Sequence, residues 1–234
     1  MKRFLVSILY ICCSCSIVLG ASSNQFTIDF NPSDGLPNTN INSVCQDSFK
    51  RIWVGTKRGV FYHTGNRFVA LQNTDYTSSC SKNTSMIAID ERDRLWIFSE
   101  EGSGYYDILD AKFTNIPQLK DLTVTDIDFD TDGNAWITSS EGICRYSIHD
   151  SSFTIETELS HLTPYKSNLH DDDKIVFTAL DNNIYIYNYV KKSLRAVKID
   201  NVSSLSLIER SGISDFIVLD DSKTVYLLNT PPTK

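Results

Sequence analysis

Carboxylates are the groups in this chain with the most chemistry to offer. Asp128, Asp130, Asp132 and Gly133 fall at the first, third, fifth and sixth positions of a calcium loop, where alternate side chains could turn onto one cation. The twelfth position, which should supply a bidentate glutamate, is Ser139. Asp126 and Asp128 could instead serve as the acid and base of a glycosidase, which needs two carboxylates flanking the scissile bond. An opposed partner is hard to find, because the corresponding stretches offer Asn42, Ser43 and Gln46, or Met86 to Ile89. Asp171, Asp172 and Asp173 fall where a turn is required, and a solvated turn is the simpler reading. His63, His149, His161 and His170 are scattered, with no pair at zinc-ligand spacing. Cys45, Cys80 and Cys144 are odd in number and far apart, which reads as small buried thiols and not as a disulfide framework or a reactive site. The expectation is no enzyme, no catalytic residue, no metal and no cofactor.

The elements that would position these groups are set by an internal repeat. Trp53, Trp96 and Trp136 are separated by 43 and 40 residues, and two further steps of 40 land on Val176 and Phe216. Six residues before each tryptophan stands Asp47, Asp90 or Asp130; six after stands Gly59, Gly102 or Gly142, with Asn182 in the fourth unit. Glycine and asparagine both tolerate positive φ, so a tight turn is predicted there, and the aspartates mark another. Each unit thus reads as a strand, a turn, the Trp strand, a Gly turn, an aromatic strand and a fourth strand around Phe68, Phe113, Phe153 or Leu194. Four short strands per unit of about 40 residues is the pattern of a propeller blade.

The predicted fold is therefore all-β, a β-propeller of about five four-stranded blades at roughly 35–73, 84–117, 122–158, 167–200 and 202–230. No helical period is visible beyond the N-terminal segment. The fifth unit supplies three strand-like runs, and the run 25–30 precedes the first blade with no unit of its own. Either 25–30 closes a five-bladed ring by pairing with the last blade, or the chain is an incomplete part of a seven-bladed one. The recurring tryptophans read as packing between blades. Ligand contacts are expected from repeat-breaking residues on connecting loops, with Tyr76, Tyr105 and Tyr165 as the places to look, although no binding residue is assigned.

Lys2 and Arg3 precede an apolar run from Phe4 to Leu19, followed by the small residues Gly20 and Ala21, so 1–21 reads as a secretory signal peptide. A lipid anchor on Cys12, Cys13 or Cys15 lacks a convincing recognition motif, and no other stretch could cross a bilayer. A formal charge of −7 and the lack of a basic run argue against nucleic acid as a partner. Asn83-Thr84-Ser85 and Asn201-Val202-Ser203 are glycosylation sequons only in form.

The first blade carries the most telling stretch, Asp34-Gly35-Leu36-Pro37-Asn38 through Asp47, then Arg51-Ile52-Trp53-Val54-Gly55-Thr56 and Gly59. It resembles the two-component regulator propeller repeat found in periplasmic sensors of Bacteroidetes hybrid two-component systems. The resemblance is good at Asp130 to Tyr146, moderate at Asp90 to Tyr106 and weak in the last two units, which lack the tryptophan. It implies a periplasmic propeller that senses oligosaccharides and drives a kinase across the inner membrane. No kinase, receiver or second ring is visible in the chain, so the expected partners are an oligosaccharide and further propeller or sensor-kinase segments. A non-functional truncated remnant is the first alternative, and a glycosidase-like propeller the second.

Overall fold

Short polar runs cut the chain into strands. After Gln46 the backbone reverses: the Lys50 amide donates to the Asp47 carbonyl at 3.0 Å, Lys50 takes a φ of 66°, and the Asp47 carboxylate accepts the Arg51 amide at 2.8 Å. The same reversal recurs at Asp90 with Asp93 at φ 56°, and at Asp130 with Gly133 at φ 80°. These left-handed positions explain the Asp, Asn and Gly richness of the turns.

The computed structural model describes residues 29–30, 32–37, 40–80, 82–170, 173–199, 205–211, 215–220 and 225–229. The chain divides into residues 1–30 and 31–234, and the sheets belong to the second unit. Blade 1 comprises β1 (Ile41–Gln46), β2 (Ile52–Thr56), β3 (Gly59–His63) and β4 (Phe68–Ala70). Blade 2 comprises β5 (Thr84–Ile89), β6 (Arg94–Ser99), β7 (Ser103–Asp107) and β8 (Lys112–Asn115). Blade 3 comprises β9 (Val124–Phe129), β10 (Ala135–Ser139), β11 (Gly142–Tyr146) and β12 (Phe153–Ile155). Blade 4 comprises β13 (Pro164–His170), β14 (Lys174–Ala179), β15 (Asn183–Asn188) and β16 (Ser193–Lys198); blade 5 shows β17 (Leu205–Ser211), β18 (Asp215–Asp220) and β19 (Val225–Asn229). Strands follow one another in order within every sheet, all antiparallel. The fold is the expected all-β propeller array, with its blades in open series. Among the described residues no strand of blade 5 pairs with blade 1.

Successive inner strands β1, β5, β9, β13 and β17 lie side by side. Each opens with a bulge, at Asn42, Ser85, Thr125, Tyr165 and Ser206 respectively. A bulge increases local twist, and its recurrence shows that blade 5 follows the same plan. Residues 1–21, 25–28, Asp171 and Asp172 lie outside the described residues, so the signal peptide, most of the closing run and part of the acidic turn do too. Asp29 and Phe30 are not in a strand.

The tryptophans fill the space between blades, at 2%, 0% and 1% exposure for Trp53, Trp96 and Trp136. Trp53 packs with Ile87, Leu95 and Tyr106 of blade 2, Trp96 with Phe129 and Tyr146 of blade 3, and Trp136 with Ile175, Phe177 and Tyr187 of blade 4. A buried indole N–H needs an acceptor, and the repeat supplies one. The Trp53, Trp96 and Trp136 Nε1 atoms donate to Oδ2 of Asp47, Asp90 and Asp130 at 2.9, 3.0 and 3.1 Å. Arg51 and Arg94 donate from Nε to the same oxygens of Asp47 and Asp90, each at 2.6 Å. In blade 3 the Asn134 side-chain amide substitutes for the guanidinium, at 2.9 Å from Asp130 Oδ2.

Two sequence expectations need correction. A helix, α1 (Thr74–Ser79), joins blades 1 and 2; Asn73 caps it, its Oδ1 accepting from the Asp75 and Tyr76 amides at 3.1 Å each. Six residues are too few to display a 3.6-residue period. Gly102 is not a positive-φ turn residue as Gly59 (φ 99°), Gly142 (φ 107°) and Asn182 (φ 63°) are. It is required because a Cβ there would sit 2.5 Å from the Ser79 carbonyl oxygen, so the end of α1 leaves no room for a side chain.

Three outcomes follow for stability, each read by urea unfolding. Asp90→Ala strands the buried Arg94 guanidinium and Trp96 indole and should cost about 3–5 kcal/mol. Gly102→Ala should cost about 1–3 kcal/mol through overpacking. Burial alone would raise the Asp47 carboxyl, but hydrogen bonds from Trp53 and Arg51, with the Arg51 charge, hold it below its ordinary 3.8. Its stabilisation is therefore complete above pH 3.8 and is lost as pH falls through the lower folded value. Asp47→Asn should show a shallower acid loss than the wild type.

Candidate functional site

Each of the first three links from an outer strand to the next inner strand begins with a residue whose amide bonds back to the third strand of its own blade. Leu71 donates to Val60 O at 2.8 Å, Ile116 to Ser103 O at 2.8 Å and Glu156 to Ile143 O at 2.9 Å. Leu71 and Ile116 are the apolar plugs this buried position calls for; in the third link a glutamate, 8% exposed, stands in the same place. Burying a carboxylate requires partners. Tyr187 OH lies 2.8 Å from Glu156 Oε2 and 3.0 Å from Glu158 Oε2, and Lys192 Nζ lies 2.6 Å from Glu156 Oε2. The phenol has one proton to share between two carboxylates. Burial, then the hydrogen bonds and charges of Glu156 and Glu158, push Tyr187 far above its usual range, so it stays a donor.

A second departure lies beside the first. Opposite Trp53 and Trp96 the paired strand carries Tyr62 and Tyr105, but opposite Trp136 it carries Arg145. Its guanidinium sits 5.5 Å from the Trp136 ring centre and 3.6 Å from Asp130 Oδ2. Tyr189 covers Trp136 from blade 4, ring centres 4.4 Å apart. Together Trp136, Arg145, Glu156, Glu158, Tyr189 and Lys192 line a groove of about 340 Å³ between blades 3 and 4. Two larger recesses, of about 710 and 700 Å³, lie around blade 1. The second of these is walled by Trp53, Tyr62 and Tyr106, residues the repeat itself supplies. The smaller groove is the candidate site because its charged residues are the ones the blade plan does not need.

The residues singled out from sequence fare differently. Asp130 is consumed by its turn and by Trp136, and among the described residues no cluster of acidic, histidine or cysteine side chains could hold a metal. Asp126 and Asp128 bind across to blade 4: Asp126 Oδ2 accepts the Ser167 amide at 3.0 Å, Asp126 Oδ1 lies 3.7 Å from Lys166 Nζ, and Ser167 Oγ lies 3.4 Å from Asp128 Oδ2. Burial raises Asp126, against the pull of Lys166 and the Ser167 amide. Tyr76 is corrected as a ligand candidate: it is buried on α1, its hydroxyl accepting the Val60 amide at 2.9 Å. Tyr105 is a strand residue packed against Trp96, ring centres 5.4 Å apart and tilted by 41°, and Tyr165 is an exposed bulge residue of inner strand β13. None of the three lines the groove. The groove residues were missed because each is ordinary alone; aligning blade against blade at Leu71, Ile116 and Glu156 would have found the first.

Residues 35–58 match the family described as two component regulator propeller. That segment is similar to one regulator propeller repeat. Around this repeat, 85% of the chain superposes on 31% of the extracellular domain assigned to hybrid two component system BT3049 of B. thetaiotaomicron, at 17% identity and a TM-score of 0.68. PorZ, a surface component of the type-IX secretion system of Porphyromonas gingivalis, aligns with 83% of the chain over 27% of its own, at 14% identity and a TM-score of 0.64. An inactive variant of virginiamycin B lyase from Staphylococcus aureus aligns with 85% of the chain over 73% of its own, at 15% identity and a TM-score of 0.60. The chain thus spans about a third or less of the first two proteins. At these identities the likeness is one of fold. No curated protein matches. Among the described residues no helix is long and apolar enough to cross a membrane.

Two of the three thiols expected to be buried are sealed off, while Cys45 is partly exposed. Cys80 and Cys144 are fully buried, and burial pushes both up, Cys80 to about 12. Thiolate is the reactive form, so iodoacetamide added to the folded protein should leave the Cys80 and Cys144 peptides unmodified by mass spectrometry. Both should be modified in urea. Labelling of either in the native state would show that the core opens there.

Proposed function

We propose that this chain is an exported, non-catalytic propeller segment that senses an oligosaccharide for a two component regulatory system, its kinase residing on another segment. The observation that carries the reading is the match to a regulator propeller repeat at 35–58, set in a propeller array like that of the extracellular domain of the hybrid two component system BT3049. The basic start and apolar run of the first 21 residues support export to the periplasm. Binding is favoured over catalysis because Asp126 and Asp128 are both engaged with blade 4. Further propeller or sensor-kinase segments are the proposed partners. The open series of blades supports this, since a sheet face at the end of a series can take another blade.

Thermal unfolding of the protein with and without a panel of neutral, acidic and amino oligosaccharides tests the reading. Binding at a hundredfold excess over Kd adds about 2.7 kcal/mol, which for a domain of this size raises the midpoint by roughly 5–10 °C. At least one glycan should produce such a rise. No shift with any of them would overturn the oligosaccharide assignment, and cleavage of a glycan during incubation would point to an enzyme instead.

A further inference from the structure

We infer that the groove between blades 3 and 4 is a binding site for an uncharged, hydroxyl-rich ligand, the size of one or two neutral sugar units; the assignment to sugar rests on the oligosaccharide-sensing reading. Blades of one chain act as controls for one another. Compared with their equivalents, five residues of this groove depart from the plan. Arg145 stands where Tyr62 and Tyr105 do, Glu156 where Leu71 and Ile116 do, and Glu158 where Gln118 does. Tyr189 replaces Ile108 and Ile148, and Lys192 replaces Ala111 and Ser151. The five are drawn from two blades and three separate stretches of sequence, yet they line one recess.

The chemistry of the lining selects the ligand class. Arg145 and Lys192 bring two cations, and Glu156 and Glu158 two carboxylates, so the groove has no net charge of its own. An anionic ligand would meet the carboxylates and a cationic one the guanidinium and ammonium. A sugar hydroxyl is donor and acceptor at once, so neighbouring hydroxyls can donate to a glutamate and accept from Arg145 or Lys192. Thr154 and Thr157 add hydroxyls that can do both, and the Trp136–Tyr189 pair supplies an aromatic wall against which the apolar face of a sugar can lie. At about 340 Å³ the space lies at the small end of ligand pockets, room for roughly one or two sugar rings. The turn is also spent on this site. Lys192 holds a left-handed φ of 50°, where Ala111 and Ser151 do the same with short side chains, and from there its long side chain reaches Glu156 on blade 3.

Isothermal titration of the full chain with cellobiose, xylobiose, maltose and mannobiose, and with digalacturonate and the chitosan dimer as charged controls, tests the inference. Arg145→Tyr installs the residue of blades 1 and 2, Glu158→Gln that of blade 2, and Lys192→Ala that of the equivalent turn. Each should therefore fold, with an unliganded melting point within about 2 °C of wild type. At least one neutral disaccharide should bind wild type and lose about tenfold or more in affinity in each variant. Unchanged affinity in all three folded variants would overturn the groove assignment while leaving the sensing reading intact. Binding of only the charged disaccharides would overturn the ligand class. If no saccharide, including long oligosaccharides, binds wild type, both the sensing reading and this one fail. Should Arg145→Tyr not fold, the exposed Lys192→Ala and Glu158→Gln variants decide the matter.

Discussion

One buried carboxylate per blade determines how the first three blades are made. The aspartate closes the turn ahead of the second strand by accepting its amide, and with its other oxygen it accepts the indole N–H of the tryptophan that packs against the next blade. Turn geometry and inter-blade packing are thereby tied to one atom pair. Desolvating a carboxylate costs several kcal/mol, offset only when its lone pairs are filled, and here indole, amide and guanidinium or carboxamide fill them. The tie also fixes register, since the tryptophan must arrive six residues after the aspartate with its ring on the face toward the next blade.

Blade 4 shows that the two residues stand or fall together. Val176, fully buried, occupies the tryptophan's place, and the aspartate's place holds His170. Removing one member of a buried hydrogen-bonded pair leaves its partner unsatisfied, whereas replacing the acceptor and the indole together removes the need for both. Blade 4 is held by other means: Tyr185 donates to Asp181 at 2.6 Å across its own hairpin, and Asn188 to Asp173 at 2.6 Å. In the fifth unit the register places Ile217 and Ser211 at the same two places, one residue beyond the Phe216 that a step of 40 suggests, and the joint loss is the same. Strand order and the inner bulge persist without the clip, so topology is carried by the hairpins, and the clip adds a specific inter-blade fit.

What could be read from the sequence follows from this division. The clip is a short-range pattern with fixed spacing, so period, strand order and the packing role of Trp53, Trp96 and Trp136 were all visible. Gly102 had the right spacing for a turn but a different cause, a close approach by α1 that only the fold brings about. Tyr76 looked like a loop residue because its helix is a turn and a half long and its hydroxyl partner, Val60, lies on another strand. The groove was invisible for the same reason in stronger form. Arg145, Glu156 and Lys192 lie on a strand, a link and a turn of two blades, and nothing local marks them as neighbours.

The groove is also the place where the repeat's own logic is set aside at a cost. At the position of Leu71 and Ile116 an alkyl side chain would be buried with no polar group to satisfy. Glu156 instead needs the Tyr187 hydroxyl, the Lys192 ammonium and a turn that holds Lys192 at positive φ. Desolvating the Glu156 carboxylate is costly and its pair with the half-exposed Lys192 ammonium returns little of that cost, whereas blades 1 and 2 show that this fold accommodates apolar residues here. The arrangement therefore does not gain its place through stability. What it provides that an alkyl plug cannot is a set of donors and acceptors, held on a strand, a link and a turn of two blades and open to solvent through Glu158, Lys192 and Arg145. Preorganised polar groups are what recognition of a small polar molecule requires, and between blades 1 and 2, where the plan is kept, Tyr62, Leu71 and Ile108 stand in place of Arg145, Glu156 and Tyr189.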